Sequence, residues 1–195
     1  MSAASIPGAS TYATAPTRSI TTRGVSYAYR ELGPKGGVPV VFFVHLAGNL
    51  DNWDPQIIDA VAKEHHVVTF NNRGIGASTG VVPGSVEAMA EDAADFIRAL
   101  GFEKVDIFGF SLGGMVAQAL IGKHPDLVRK LVLAGTGPRG GKGMDKVARG
   151  HVLRRTAGRP VPGRSEGVPL LRPQRRRQAG GEGIHHPHPG AHHRT

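Results

Sequence analysis

Two stretches of this chain carry a serine between paired glycines, Gly76-Ala-Ser78-Thr-Gly80 and Gly109-Phe-Ser111-Leu-Gly113. Such a serine can be a nucleophile if a sharp strand-to-helix turn lifts its hydroxyl above a sheet and turns backbone N–H groups toward the same point. The flanking glycines let strand and helix approach closely. The five-residue pattern is weak evidence by itself: with 28 glycines in 195 residues and nine serines, chance alone gives about 0.2 occurrences. Context must therefore decide between the two.

Ser111 has the context. The apolar strand-like Lys-Val-Asp-Ile-Phe precedes its motif, and Leu112–Lys123, rich in helix formers, comes after it. Ser78 runs into Thr-Gly-Val-Val-Pro-Gly, which cannot be a helix, and is expected to be a loop residue. The competing reading of Ser111 is an unreactive helix N-cap on a glycine-tight turn.

Hydrophobic period and punctuation indicate the scaffold around Ser111. Ser19–Thr22 and Val25–Glu31 alternate around Arg23-Gly24, predicting a short hairpin. Val38–His45 is a nearly continuous apolar run, the mark of a strand buried on both faces of a parallel sheet. Asp54-Pro55 predicts an N-cap with proline at the first helical position, opening a helix to about Lys63. A strand at His66–Asn71 is next. Ser85 caps a second helix whose apolar stripe is Val86, Met89, Ala93, Ile97 and Leu100, closed by Gly101. Strand Lys104–Phe108, helix Leu112–Lys123 and strand Val128–Ala134 complete the series. The expected fold class is α/β: a doubly wound, mostly parallel sheet with helices on both faces and ligands at the carboxyl ends of the strands, near His45, Asn71, Gly109 and Gly135.

Taken together, residues 19–137 resemble the α/β-hydrolase family. The motifs carrying the resemblance stand in order: FFVHLAGN, NWDP, FNNRGIGAS, GFSLGG and LVRKLVLAGTG. The resemblance implies Ser111 as nucleophile, with Gly109 and Gly113 as the motif glycines. It implies the backbone N–H of Leu112 as one oxyanion donor and that of Ala47 as a second. Leu46 stands where the family usually has glycine. His45 is implied to shape its loop rather than act as the base. Trp53 and Asp54 are expected to pack and cap the first helix, with a substrate-facing Trp53 as the alternative. Arg73 is expected to pin its own loop, and His65, His66 and His124 to be surface or capping groups. Family members with Ser rather than Asp at the elbow work by acyl transfer, which implies a small-molecule acyl substrate. Esterase, lactonase, C–C hydrolase and cofactor-free perhydrolase chemistries stay open.

Charge divides the chain. Residues 1–137 carry 11 Lys+Arg and 12 Asp+Glu, while residues 138–195 carry 13 and 3; all 11 aromatic residues precede Pro138. The basic tail 138–195 cannot bury enough apolar area to offset chain entropy and is read as disordered, as is the small, polar leader 1–18. The expected organisation is a leader at 1–18, a partial hydrolase domain at 19–137 and the tail. A triad needs a carboxylate and a histidine after the elbow. The tail offers Asp145, Glu166, Glu182, His151 and the cluster His185, His186, His188, His192 and His193, with no strand to place them, so neither partner is assigned. Loss of aromatics with gain of Arg, Gly, Pro and His from near Gly150 suggests a shifted reading frame there, and a chain of impaired activity. The alternative function is a noncatalytic binder of acidic partners or nucleic acid through this tail, including Arg175-Arg-Arg177. A body of balanced charge argues against specific nucleic-acid recognition by the domain itself.

There is no cysteine, no Walker pattern, no complete dinucleotide fingerprint and no apolar run of about 18 residues. No cofactor, dedicated metal site or membrane partner is expected, and the chain is expected to be cytoplasmic. The oligomeric state is not encoded in these patterns.

Overall fold

A computed structural model describes residues 11–142. Six strands and three helices occur in the expected order. They are β1 (Arg18–Thr22), β2 (Val25–Leu32), β3 (Val40–Phe43), α1 (Pro55–Ala62), β4 (Val67–Phe70), α2 (Val86–Ala99), β5 (Val105–Phe110), α3 (Leu112–Lys123) and β6 (Val128–Ala134). The strands form one sheet in the order β1-β2-β4-β3-β5-β6. β1 and β2 pair antiparallel, β2 joins β4 antiparallel, and β4, β3, β5 and β6 run parallel.

Each parallel crossover places a helix on one face, and the two faces have separate cores. On one, α2 and α3 bury Met89, Ala93, Phe96, Ile97, Val116, Ala117 and Leu120 against Val41, Val68, Phe70, Val105 and Ile107. The apolar face of α2 is wider than the predicted stripe: Ala90, Ala94 and Phe96 are also buried, and the Phe96 ring stacks on Phe70 with centroids 4.5 Å apart. On the other face α1 and the loop before it bury Trp53 and Ile58 against Phe42, Val44 and Val67. The predicted caps are present. Asp54 accepts a hydrogen bond from the Gln56 N–H, Ser85 accepts one from the Ala88 N–H, and Gly101 takes φ +80° after α2.

The expected leader needs correction over residues 11–17. Tyr12 and Ala15 are buried in the α1-side core. The Tyr12 N–H donates to Asp59 Oδ1 at 2.6 Å, and its hydroxyl bonds the Leu50 carbonyl and shares a hydrogen with Thr69 Oγ1. A ring of that size, buried with its polar tip satisfied, holds the segment despite its otherwise weak composition. Residues 1–10 lie outside the described residues. So do residues 143–195, with the tail's carboxylates, its histidine cluster and Arg175–Arg177. No helix among the described residues is long and apolar enough to cross a membrane.

Candidate active site

The end of β5 is where sequence, backbone and packing converge. β5 runs two residues beyond its predicted end because β6 continues to pair with it, Gly109 opposite Leu133 and Phe110 opposite Ala134. The chain then reverses into α3 through Ser111, whose φ of 54° and ψ of −116° lie outside the regions ordinary residues favour. Such a conformation costs about 1–3 kcal/mol and persists only where its surroundings enforce it. Here they do. The Ser111 N–H donates to the Ala134 carbonyl at 3.0 Å, and the Ser111 carbonyl accepts from the Gly114 N–H at 3.0 Å.

The glycines explain how strand and helix come so close. A Cβ on Gly113 would fall inside the Phe43 carbonyl oxygen, and one on Gly109 would sit 2.7 Å from the Gly114 Cα. The start of α3 is thereby pressed against both β5 and the end of β3. Ser111 stands at the N-cap position of α3, but its side chain makes no capping hydrogen bond. Leu112 is the first residue of α3, so its N–H has no intrahelical acceptor and lies at the positive end of the helix dipole.

The loop after β3 forms the opposite wall. The Gly48 N–H donates to the His45 carbonyl at 3.0 Å, closing a turn in which Ala47 takes φ 56°. The left-handed position falls on Ala47, not on Leu46, whose side chain is exposed. That is why a leucine is tolerated where the resemblance calls for glycine. The His45 ring packs edge-on against Phe110, centroids 5.7 Å apart, and Nδ1 lies 3.0 Å from the Leu46 carbonyl. His45 thus shapes this loop, as expected. Trp53 is buried with its ring centroid 5.2 Å from that of Phe42 and 6.4 Å from that of Phe110, while its Nε1 has no hydrogen-bond partner among the described residues.

Ser78 is structural. Its hydroxyl accepts from the Ala28 N–H at 3.0 Å and donates to the Asn71 carbonyl at 2.9 Å, tying the loop after β4 to β2. Asn71, at a strand end where ligands are expected, is instead a structural hub: its side-chain oxygen accepts from the Leu50 N–H at 2.8 Å, and its own N–H donates to the Ala28 carbonyl. The available sign is a polar residue closing an apolar strand. Arg73 pins the same loop, its side chain lying under Gly80 and 3.6 Å from Asp92. Burial raises the Asp92 carboxyl above its usual range, with the Arg73 charge opposing, and burial raises the Tyr27 phenol on the same cluster.

His66 and His124 are engaged elsewhere, and His65 is exposed ahead of β4. His66 is buried rather than superficial, its Nε2 3.1 Å from Glu31 Oε2. His124 ends α3 between Glu91 and Arg98. Burial acts to raise the Glu31 carboxyl, but hydrogen bonds from Lys35 and His66, with the Arg18 charge, leave it below its ordinary value. Among the described residues there is no cluster of metal-ligating side chains.

The family model described as alpha/beta hydrolase fold matches residues 38–178. The chain belongs to the alpha/beta hydrolase fold family. An alpha/beta hydrolase fold protein from Chitinophaga pinensis is 40% identical, with a TM-score of 0.74, over 77% of this chain and 55% of that one. A Rhizobium rhizogenes protein provisionally named as the carbamate hydrolase RutD is 36% identical over 45% of this chain and 34% of its own length. The 3-oxoadipate enol-lactonase 1 of Acinetobacter baylyi is 32% identical over 50% of this chain and 37% of its own. The chain thus spans little more than a third of the length of these two curated relatives, both of which bear hydrolase names.

Proposed function

We propose that this chain carries the nucleophile half of a serine hydrolase that works by acyl transfer on a small ester-like or related carbonyl substrate. The observation that carries the reading is the backbone of Ser111: a non-glycine residue held in an unfavourable conformation, with its hydroxyl unused as a cap, at the point where strand turns into helix. Strain of this kind at an uncapped hydroxyl is what an exposed nucleophile requires.

In the proposed reaction Ser111 Oγ attacks the substrate carbonyl carbon, and a base takes the hydroxyl proton. The negative charge moves to the carbonyl oxygen, where the N–H groups of Leu112 and Ala47 would stabilise it. The carbonyl reforms as the leaving group departs with a proton, and water then releases the acyl group from Ser111. Carbamates and enol-lactones, the substrates in the relatives' names, share the carbonyl carbon this reaction requires. His45, His66 and His124 are bonded to other groups, and His65 is exposed ahead of β4, at the opposite end of that strand from its carboxyl end, so no base is assigned among the described residues. Turnover is therefore proposed to be slow, because removing the partners of a catalytic serine costs several orders of magnitude in rate while oxyanion donors retain some.

The test is covalent labelling of the purified chain with a fluorophosphonate, beside Ser111→Ala and Ser78→Ala. Labelling that survives Ser78→Ala and vanishes with Ser111→Ala supports the proposal. Labelling that persists in Ser111→Ala, or none at all in a folded chain, overturns it.

A further inference from the structure

The loop that carries the Ala47 N–H is short, and its far end is held by a distant part of the chain. Only Gly48 and Asn49 separate Ala47 from Leu50. The near end is fixed by β3 and by the Gly48 N–H bonded to the His45 carbonyl. At the far end Leu50 is buried, and side chains take both of its backbone polar groups: its N–H donates to Asn71 Oδ1 at 2.8 Å, and its carbonyl accepts from the Tyr12 hydroxyl. A carbonyl can only accept, so the single phenolic proton is committed to Leu50. Thr69 Oγ1, 3.1 Å away, must then be the donor to the Tyr12 oxygen. Burial pushes the Tyr12 phenol up, which keeps that proton in place.

Tyr12 is itself tied down from two sides. Its N–H donates to Asp59 Oδ1 on α1 at 2.6 Å. Arg30 of β2 lies over its ring, 5.3 Å from the centroid, and donates to Thr17 Oγ1 at 3.0 Å and to Asp51 Oδ1 at 2.8 Å. One cation therefore joins the segment before β1 to the residue that follows Leu50.

We propose that Tyr12 is a positioning residue for the oxyanion contact: residues 11–17 strap Leu50 to α1 and β2, and the strapped Leu50 sets the direction of the Ala47 N–H. The inference rests on the roles proposed above for Ser111 and Ala47. Ala47 is the sensitive point, because at φ 56° it holds a left-handed conformation that an alanine keeps only where its surroundings enforce it. With the Leu50 carbonyl released, one of the two anchors beyond Ala47 is gone, and the loop can relax toward ordinary backbone with its N–H turned aside. Removing an oxyanion donor outright costs about 10²–10³ in rate, and turning one aside costs a part of that.

The test is the rate of fluorophosphonate capture by the full chain as a function of probe concentration, with urea unfolding measured beside it. Tyr12→Phe keeps the ring and removes the proton donated to Leu50. It is expected to lower the limiting rate of capture about tenfold and to leave the half-saturating probe concentration little changed. Thr69→Val removes the other hydrogen bond of the same hydroxyl and leaves the one to Leu50. It is expected to lose stability as Tyr12→Phe does, yet to be captured at the wild-type rate. A tyrosine that only stabilised the core would not separate the two variants, so a limiting rate lowered in both alike, or in neither, overturns the proposal. Should Tyr12→Phe fail to fold, Arg30→Met takes its place, since it opens the same strap from β2: a lowered limiting rate supports the proposal and a wild-type rate overturns it. Capture at Ser111 that ignores the strap overturns this inference alone. A folded wild type never labelled at Ser111 overturns the reading beneath it and this inference with it.

Discussion

Ser78 and Ser111 sit in the same five-residue pattern, and the fold uses them in opposite ways. The hydroxyl of Ser78 is buried and both accepts from and donates to backbone, joining Ala28 to Asn71. Ser111 makes no capping bond, and its backbone is held at φ 54° by neighbours on β6 and α3. One serine has an ordinary backbone and an occupied side chain; the other is strained in its backbone and, among the described residues, makes no side-chain hydrogen bond. The pattern of glycines says that two segments approach closely. The residues after the serine, a helix in one case and a proline-bearing loop in the other, decide which of the two states results.

The contrast can be broken by exchanging the consequences. The largest effect is on labelling: Ser111→Ala is expected to abolish fluorophosphonate capture completely while leaving the midpoint of urea unfolding within the equivalent of about 0.5 kcal/mol, since no capping hydrogen bond of the hydroxyl holds the fold. Next is Gly113→Ala, which drives a methyl into the Phe43 carbonyl; a loss of about 3 kcal/mol or more in urea unfolding is expected, because backbone on both sides must move. Ser78→Ala should do the reverse of Ser111→Ala. It retains labelling but loses about 2 kcal/mol, as the Ala28 N–H and the Asn71 carbonyl are left buried without their partner.

The smallest effect concerns pH at the Ser78 loop. Burial raises the folded-state affinity of Asp92 for its proton, so its favourable contribution is present at acid pH and is lost as pH rises through the raised value. Urea titrations from about pH 4 to 7 should show wild type losing stability relative to Asp92→Asn by less than about 1 kcal/mol. A relative gain over that range would mean that the Arg73 charge, not burial, governs the site.

The bounds of α3 and β6 are legible in the sequence, because a run of helix formers after Ser111 and an apolar run after Pro125-Asp-Leu leave little else to form. The sequence pattern of β5 ends two residues short of the strand: Gly109 and Phe110 are poor strand signals by themselves and are strands only because β6 lies beside them. The same limit hides Asn71 and Tyr12. Each is defined by partners far along the chain, and neither hydrophobic period nor turn chemistry reports a contact of that range. The strain at Ser111 is a product of tertiary packing too, so the sequence can nominate the residue without revealing how it is held.

Tyr12 has a consequence for the order in which the molecule can be assembled. Its partners Leu50, Asp59 and Thr69 lie 38, 47 and 57 residues further on. During synthesis the segment around Tyr12 emerges well before its anchors on α1 and β4. The Tyr12 segment can thus be fastened only once its anchors have been made, and a ribosome stalled before Thr69 would present that tyrosine to the surroundings instead of to the core.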